Sequence, residues 1–248
     1  MIKIFKIYMM KRIVIALVLI NISANAQFKG IIKKAIYKST TVSKIGGFDI
    51  ASGLREALNK GVSEQVSKLT AIDGFYGNEA VKILMPTEFL KVDNTLRKIG
   101  LGNLTDDAIK SLNRAAEDAV KEATPIFESA IKNMSITNAK SILMGNENAA
   151  TTFLQTTTSN ALYAKFSPVV QKSIGKVGAD VVWNAIISQY NSVPFITKIN
   201  PDITDYVTNK ALEGVFKMIT VQEIKIRTNL KARTSPLLQN IFAMQDKK

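Results

Sequence analysis

Apolar residues recur at helical spacing along most of this chain, and period-two alternation is nearly missing. Ile50, Leu54, Ala57, Leu58, Val66 and Leu69 trace one helical face, mildly broken by Gly61. Residues 72–78 (IDGFYGN) read as a turn, with Asp-Gly and Gly-Asn around two aromatics. Residues 81–85 form a short apolar run before Pro86 and are expected to be extended, because a residue before proline disfavours the helical region. Thr87 is placed as the cap of a helix reaching Ile99, with Gly100 as its stop.

Thr105, followed by Asp106 and Asp107, predicts another helix start, with a cap oxygen and negative charge at the positive end. Its face carries Ile109, Leu112, Ala116, Ala119, Val120 and Ala123. Pro125 kinks or restarts that helix, which resumes through Phe127, Ile131 and Met134. Thr137 is expected to cap a short helix ending near Gly145. Residues 148–166 are Thr-rich, yet Phe153, Leu154, Ala161 and Leu162 keep helical spacing. Pro168 is read as opening a separate helix closed by Gly178, and residues 179–190 as a segment holding Trp183 and Ile187. Residues 200–202 (NPD) turn into a long helix through Arg227, and Ser235-Pro236 starts a last one with Leu237, Leu238, Ile241 and Phe242. The pattern predicts an all-α fold: a compact multi-helix bundle in a single domain over 49–248, with at most a short extended segment near 79–86.

The first 48 residues follow a different pattern. Lys3, Lys6, Lys11 and Arg12 give a basic start without an acid, and residues 13–20 (IVIALVLI) are uninterruptedly apolar. Ala24-Asn25-Ala26 then offers the small-x-small exit of a secretory signal peptide. The apolar run is well short of the ~20 residues of a membrane-spanning helix. Cleavage is expected after Ala26, which leaves 222 residues from Gln27 and sends the chain to the periplasm or outside the cell. Residues 27–48 form a basic amphipathic segment and linker. Phe28, Ile31, Ile32, Ala35 and Ile36 share a stripe, and Lys29, Lys33, Lys34 and Lys38 lie off it. Those lysines are candidates for contact with an anionic membrane surface. A first helix packed on the domain would explain them as well.

Composition narrows the chemistry. The chain has no His and no Cys. That removes Ser-His-Asp and Cys-His catalysis, His-ligated metals, disulfides and a lipid-modified N-terminal cysteine. No calcium-loop motif appears, so no metal or cofactor is expected. The formal net charge of +13 falls to +9 once the four basic residues of the leader are removed. The remaining basic residues are dispersed and do not alternate with aromatics, so nucleic acid is not an expected partner.

Three polar clusters remain as candidate sites. Asn113, Arg114, Glu117 and Asp118 lie on one Ala-rich helix, where Arg114 and Asp118 project together as an i,i+4 pair. The cluster reads as a structural network, a ligand-pocket wall or a solvated face. Glu223 and Arg227 are spaced i,i+4 with the acid first, and Arg233 follows in a short connection. They clamp the last helix to the bundle, or their planar forks receive a carboxylate or phosphate. Asp73, Phe75 and Tyr76 in the aromatic turn form the third cluster, either a functional loop or a plug at the end of the bundle.

The segments GLREAL (53–58), DGFY (73–76), LNRAAEDA (112–119), AAT (149–151), NPDITDYV (200–207) and ART (232–234) occur in this order. In them the chain resembles the exported bacterial family called domain of unknown function 4197, over about residues 49–242. The resemblance implies a signal peptide and a mostly helical domain. It implies no activity or cofactor and transfers no catalytic residue. Some relatives look like lipoproteins, but this chain lacks the cysteine that lipid anchoring needs. The leading functional expectation is a non-enzymatic interaction or scaffold protein of the cell envelope, binding a protein partner or the membrane surface. The alternatives are a helical carrier for a small anionic or amphipathic ligand and, third, a carboxylate- or lysine-based enzyme.

Overall fold

The computed structural model describes residues 47–248 except 87, 88, 177–179, 181, 182, 185–187, 189, 190, 193, 196, 197, 199–201, 247 and 248, and only the backbone of 47–49, 91, 92, 95 and 96. The expected leader, the lysines at 29, 33, 34 and 38, the Thr87 cap and the Asn200-Pro201 turn lie outside the described residues. Within them the fold is all-α. In chain order the helices are α1 (Gly47–Thr70), α2 (Leu90–Lys98), α3 (Gly102–Val120), α4 (Ala123–Lys132), α5 (Ile136–Leu143), α6 (Ala149–Gly175), α7 (Ile203–Thr228) and α8 (Pro236–Gln245), with a 3-10 turn at Leu230–Ala232 before α8.

Helices α3, α6 and α7 pack on one another. Each buries residues spaced three or four apart: Leu112, Ala116 and Ala119 on α3, Leu162, Phe166 and Val170 on α6, and Val207, Ala211 and Val215 on α7. Helix α1 lies against α4, α5, α7 and α8 through Leu54, Val62, Val66 and Leu69. Two glycines permit close approach. A side chain at Gly53 would overlap Ile241 of α8, and a Cβ at Gly214 would sit 2.7 Å from the ring of Phe75. Phe75 is fully buried and cannot retreat. Gly214→Ala gains about 1 kcal/mol in helix propensity. It incurs an overpacking cost of about 1–3 kcal/mol. The expected result is a net loss of stability, read as a lower urea midpoint at unchanged slope.

Several helix ends differ from the sequence expectation. Pro168 does not open a helix; it lies inside α6, which runs unbroken from Ala149 to Gly175. Leu154, Thr158, Leu162, Phe166, Val170 and Ile174 form one buried line at intervals of four that passes straight through the proline. Burying that line outweighs the backbone hydrogen bond that proline removes. Thr105 caps nothing, because α3 already begins at Gly102 and buries Thr105. Ser135, not Thr137, caps α5, accepting the Asn138 N–H at 3.0 Å. Asp202 caps α7 and Ser235 caps α8, with Pro236 in the first turn as expected.

Candidate functional site

Glu117 faces inward from α3. Its Oε1 accepts the N–H groups of Phe75 and Tyr76 at 3.0 and 3.3 Å. Its Oε2 meets Arg114 Nη1 at 2.5 Å. The other guanidinium nitrogen of Arg114 meets Asp73 at 2.7 Å. Asp73 holds a positive φ of 64°, which turns the chain so that Phe75 enters the core beside Gly214. The first residue of this set, Asn113, works on a different segment. Its amide accepts the Ile83 N–H at 2.8 Å and donates to the Ile83 carbonyl at 2.8 Å. The stretch before Pro86 is thus held as though by a neighbouring strand, although the partner is one side chain on a helix.

Asp118 stands apart from this group. The expected Arg114–Asp118 pair does not form. Arg114 turns to Glu117 and Asp73, while Asp118 lies on the surface with Lys121 at 2.7 Å. The i,i+3 partner prevails because Glu117 is buried and must have its charge met, whereas water satisfies Asp118. Tyr76 carries Lys82 Nζ over its ring, 4.6 Å from the centroid.

The second cluster is buried more deeply. Glu223 accepts the Ala150 and Thr151 N–H groups at 2.9 and 2.8 Å and the Thr151 hydroxyl at 2.8 Å. These are orphan donors of the first turn of α6, so the carboxylate sits at the positive end of that helix. Arg227 donates Nε and Nη2 to Glu223 at 2.9 and 2.8 Å. Its remaining donors reach the carbonyls of Ile142 and Leu143 at 2.8 and 3.2 Å, the negative end of α5. One ion pair therefore joins the end of α5 to the start of α6, and the Gly145 turn runs between them. Arg233 does the same for α7, donating to the Ile226 and Arg227 carbonyls at 3.1 and 2.9 Å. It also forks onto Asp246, and the Arg227 and Arg233 guanidinium groups stand 5.7 and 5.4 Å from the centre of the Phe242 ring.

Arg233 holds the Asp246 carboxyl below its ordinary value by hydrogen bonding. A depressed carboxylate stabilises the fold above its unfolded pKa of about 4 and loses that contribution as pH falls through the lower folded value. Asp106, held down by Arg97, and Glu64, held down by Lys68, act in the same sense. The midpoint of unfolding is expected to fall as pH drops below about 4, less steeply in Asp246→Asn. Thermal scans between pH 6 and 2 give the comparison. Tyr163 behaves in the opposite direction. Its hydroxyl donates to Asp205 at 2.6 Å, and the tyrosine pKa is pushed up to about 12.

A cavity of about 30 Å³ touches Glu223, Arg227 and Phe242. It has room for one water but not for an organic ligand. Among the described residues no group of three or more His, Cys, Asp or Glu assembles as metal ligands. The arginines that the sequence offered for a ligand acid are engaged by Glu117, Asp73, Glu223, Asp246 and helix-terminal carbonyls. Sequence reading missed further fasteners. Arg97 bridges Asp93 and Asp106, Arg55 donates to the Met134 carbonyl, and the Tyr206 hydroxyl donates to the Leu84 carbonyl at 2.8 Å.

A protein-family model described as "Protein of unknown function (DUF4197)" matches residues 44–243. The chain belongs to the DUF4197 family. No curated protein and no solved structure matches it. The DUF4197 match spans the clusters described above except for Asp246. The segments LNRAAEDA, DGFY, AAT and ART hold Glu117 with Arg114, its turn, the N–H groups bound by Glu223, and Arg233.

Outside these fasteners lies an open groove of about 730 Å³ between α4 and α6. A second concavity of about 500 Å³ continues it past the start of α6 beside α5, and the two share Asn138, Phe153 and Thr157. Their lining contains only two charged residues, Glu122 and Lys165.

Proposed function

We propose that this protein is exported and acts as a non-enzymatic interaction protein of the cell envelope, meeting its partner along the groove between α4 and α6. One observation carries this reading: the buried charges close upon the protein itself, while a wide concavity opens outward between α4 and α6. Export is supported by the basic start, the apolar run and the Ala-Asn-Ala exit. The positive charge of the mature chain supports residence beside anionic surfaces.

Cell fractionation supplies the test. The protein recovered with the envelope is expected to begin at Gln27, as read by intact mass. Thr157→Arg places a charge in the groove at an exposed site, so the fold is expected to survive. This variant should leave the envelope fraction while keeping its thermal midpoint. Retention equal to wild type would refute the groove reading. If replacing Lys29, Lys33, Lys34 and Lys38 by Gln releases the protein instead, the membrane surface is what holds it.

A further inference from the structure

Resting on the interaction reading, we infer that the groove along α6 binds an uncharged carbohydrate chain. Thr152, Thr156, Thr157 and Thr158 line the two concavities, and each donates to the carbonyl of the residue four before it, at 2.6–3.0 Å. Their hydrogens are therefore committed, and the exposed ones present oxygen lone pairs and methyl groups outward. A matching ligand must bring its own donors.

Opposite them, on the α4 and α5 side, stand Asn133 and Asn138. Both are exposed, and neither side-chain amide has a protein partner among the described residues. Each amide offers a donor and an acceptor side by side. That pair matches two adjacent hydroxyls on a sugar ring. The half-buried Phe153 ring lies between the two concavities and offers an apolar surface to a sugar's C–H face.

Charge decides against an anionic polymer. The two charged lining residues are one acid and one base, so the groove carries no net charge although the chain is strongly basic. The common modes of peptide recognition fit poorly too. Strand addition needs a sheet edge, and the described residues hold no strand. A helix in a groove needs a continuous apolar floor, and here Asn133, Asn138 and Thr157 stand among Ile126, Ala130, Phe153 and Ala161. Acidic motifs need clustered arginines, and none lines it. A neutral glycan supplies donors, acceptors and apolar faces at short repeat, which is what the groove accepts.

The experiment is a titration of the isotope-labelled mature chain with chitohexaose and with maltohexaose, followed by NMR. The expected result is saturable shifts at the Asn133 and Asn138 side-chain amides and at Phe153 for at least one of the two. Thr157→Arg and the double change Asn133→Ala, Asn138→Ala should each weaken that binding about tenfold or more, a loss of about 1.4 kcal/mol. Absence of groove shifts with both sugars up to about 10 mM overturns the proposal, since that limit exceeds any specific affinity of interest. Shifts that persist undiminished in Thr157→Arg overturn it as well. If an uncharged Gly-Asn-Ser repeat peptide shifts the groove and neither sugar does, the partner is a protein: the interaction reading stands and the carbohydrate assignment falls. Envelope retention that Thr157→Arg leaves unchanged sinks the interaction reading itself, whatever the sugars do.

Discussion

Glu223→Ala is expected to cost about 3–5 kcal/mol, the range for removing one partner of a buried ion pair. Glu223 is 8% exposed and Arg227 is 5% exposed, so bulk solvent does not reach the groups that lose their partner. The substitution orphans the N–H groups of Ala150 and Thr151 and the Thr151 hydroxyl, and leaves the Arg227 guanidinium without its counter-charge. A domain of this size has about 5–15 kcal/mol in all. The variant should thus sit near its unfolding threshold. Glu223→Gln keeps one acceptor oxygen and should lose less. Urea titration of the pair measures both, and a loss below about 1 kcal/mol in the alanine variant would show that the carboxylate is not a fastener.

Glu117→Ala is expected to be the next largest, at about 2–3 kcal/mol. Two backbone donors lose their acceptor, and one of them belongs to Phe75, a fully buried ring. Arg114 adds little to the cost, because its side chain is 34% exposed and can turn to water or remain with Asp73. That is why this loss should be smaller than the loss at Glu223. Hydrogen exchange supplies a local readout. The Phe75 and Tyr76 amides should exchange faster in the variant even under conditions where the rest of α3 stays protected. Equal protection in both proteins would mean that the turn holds itself.

Much of the bundle was legible because helices announce themselves locally. The apolar faces of α1 and α3 and the acid-first pair at 223 and 227 follow from spacings of three or four, and the Ser235-Pro236 start follows from its cap chemistry. What could not be read were partners far along the chain. Nothing near Glu223 says that its oxygens meet N–H groups 72 and 73 residues away. Nothing near Asn113 says that it substitutes for a strand beside Ile83, 30 residues earlier. The pairing of Arg114 failed for a related reason. Helical geometry allows both i+3 and i+4 partners, and burial chose between them. Pro168 is the case where the signal was present and outranked: an unbroken interval of four from Leu154 to Ile174 places both sides of the proline in one helix. The groove left the weakest trace, since threonines and asparagines in a helical stretch look the same whether they face solvent or a ligand.

Arg114 offers the most direct test of the whole account. It is the least buried guanidinium of the clusters that looked functional in the sequence, so it is the one best able to meet a partner. The measurement is envelope retention of Arg114→Ala, taken at a temperature well below the variant's own thermal midpoint. A lower midpoint with retention equal to wild type is the predicted result, because the residue braces the aromatic turn and the groove on α6 is untouched. A folded variant that leaves the envelope would contradict the account and move the binding site to the Asp73–Arg114–Glu117 cluster.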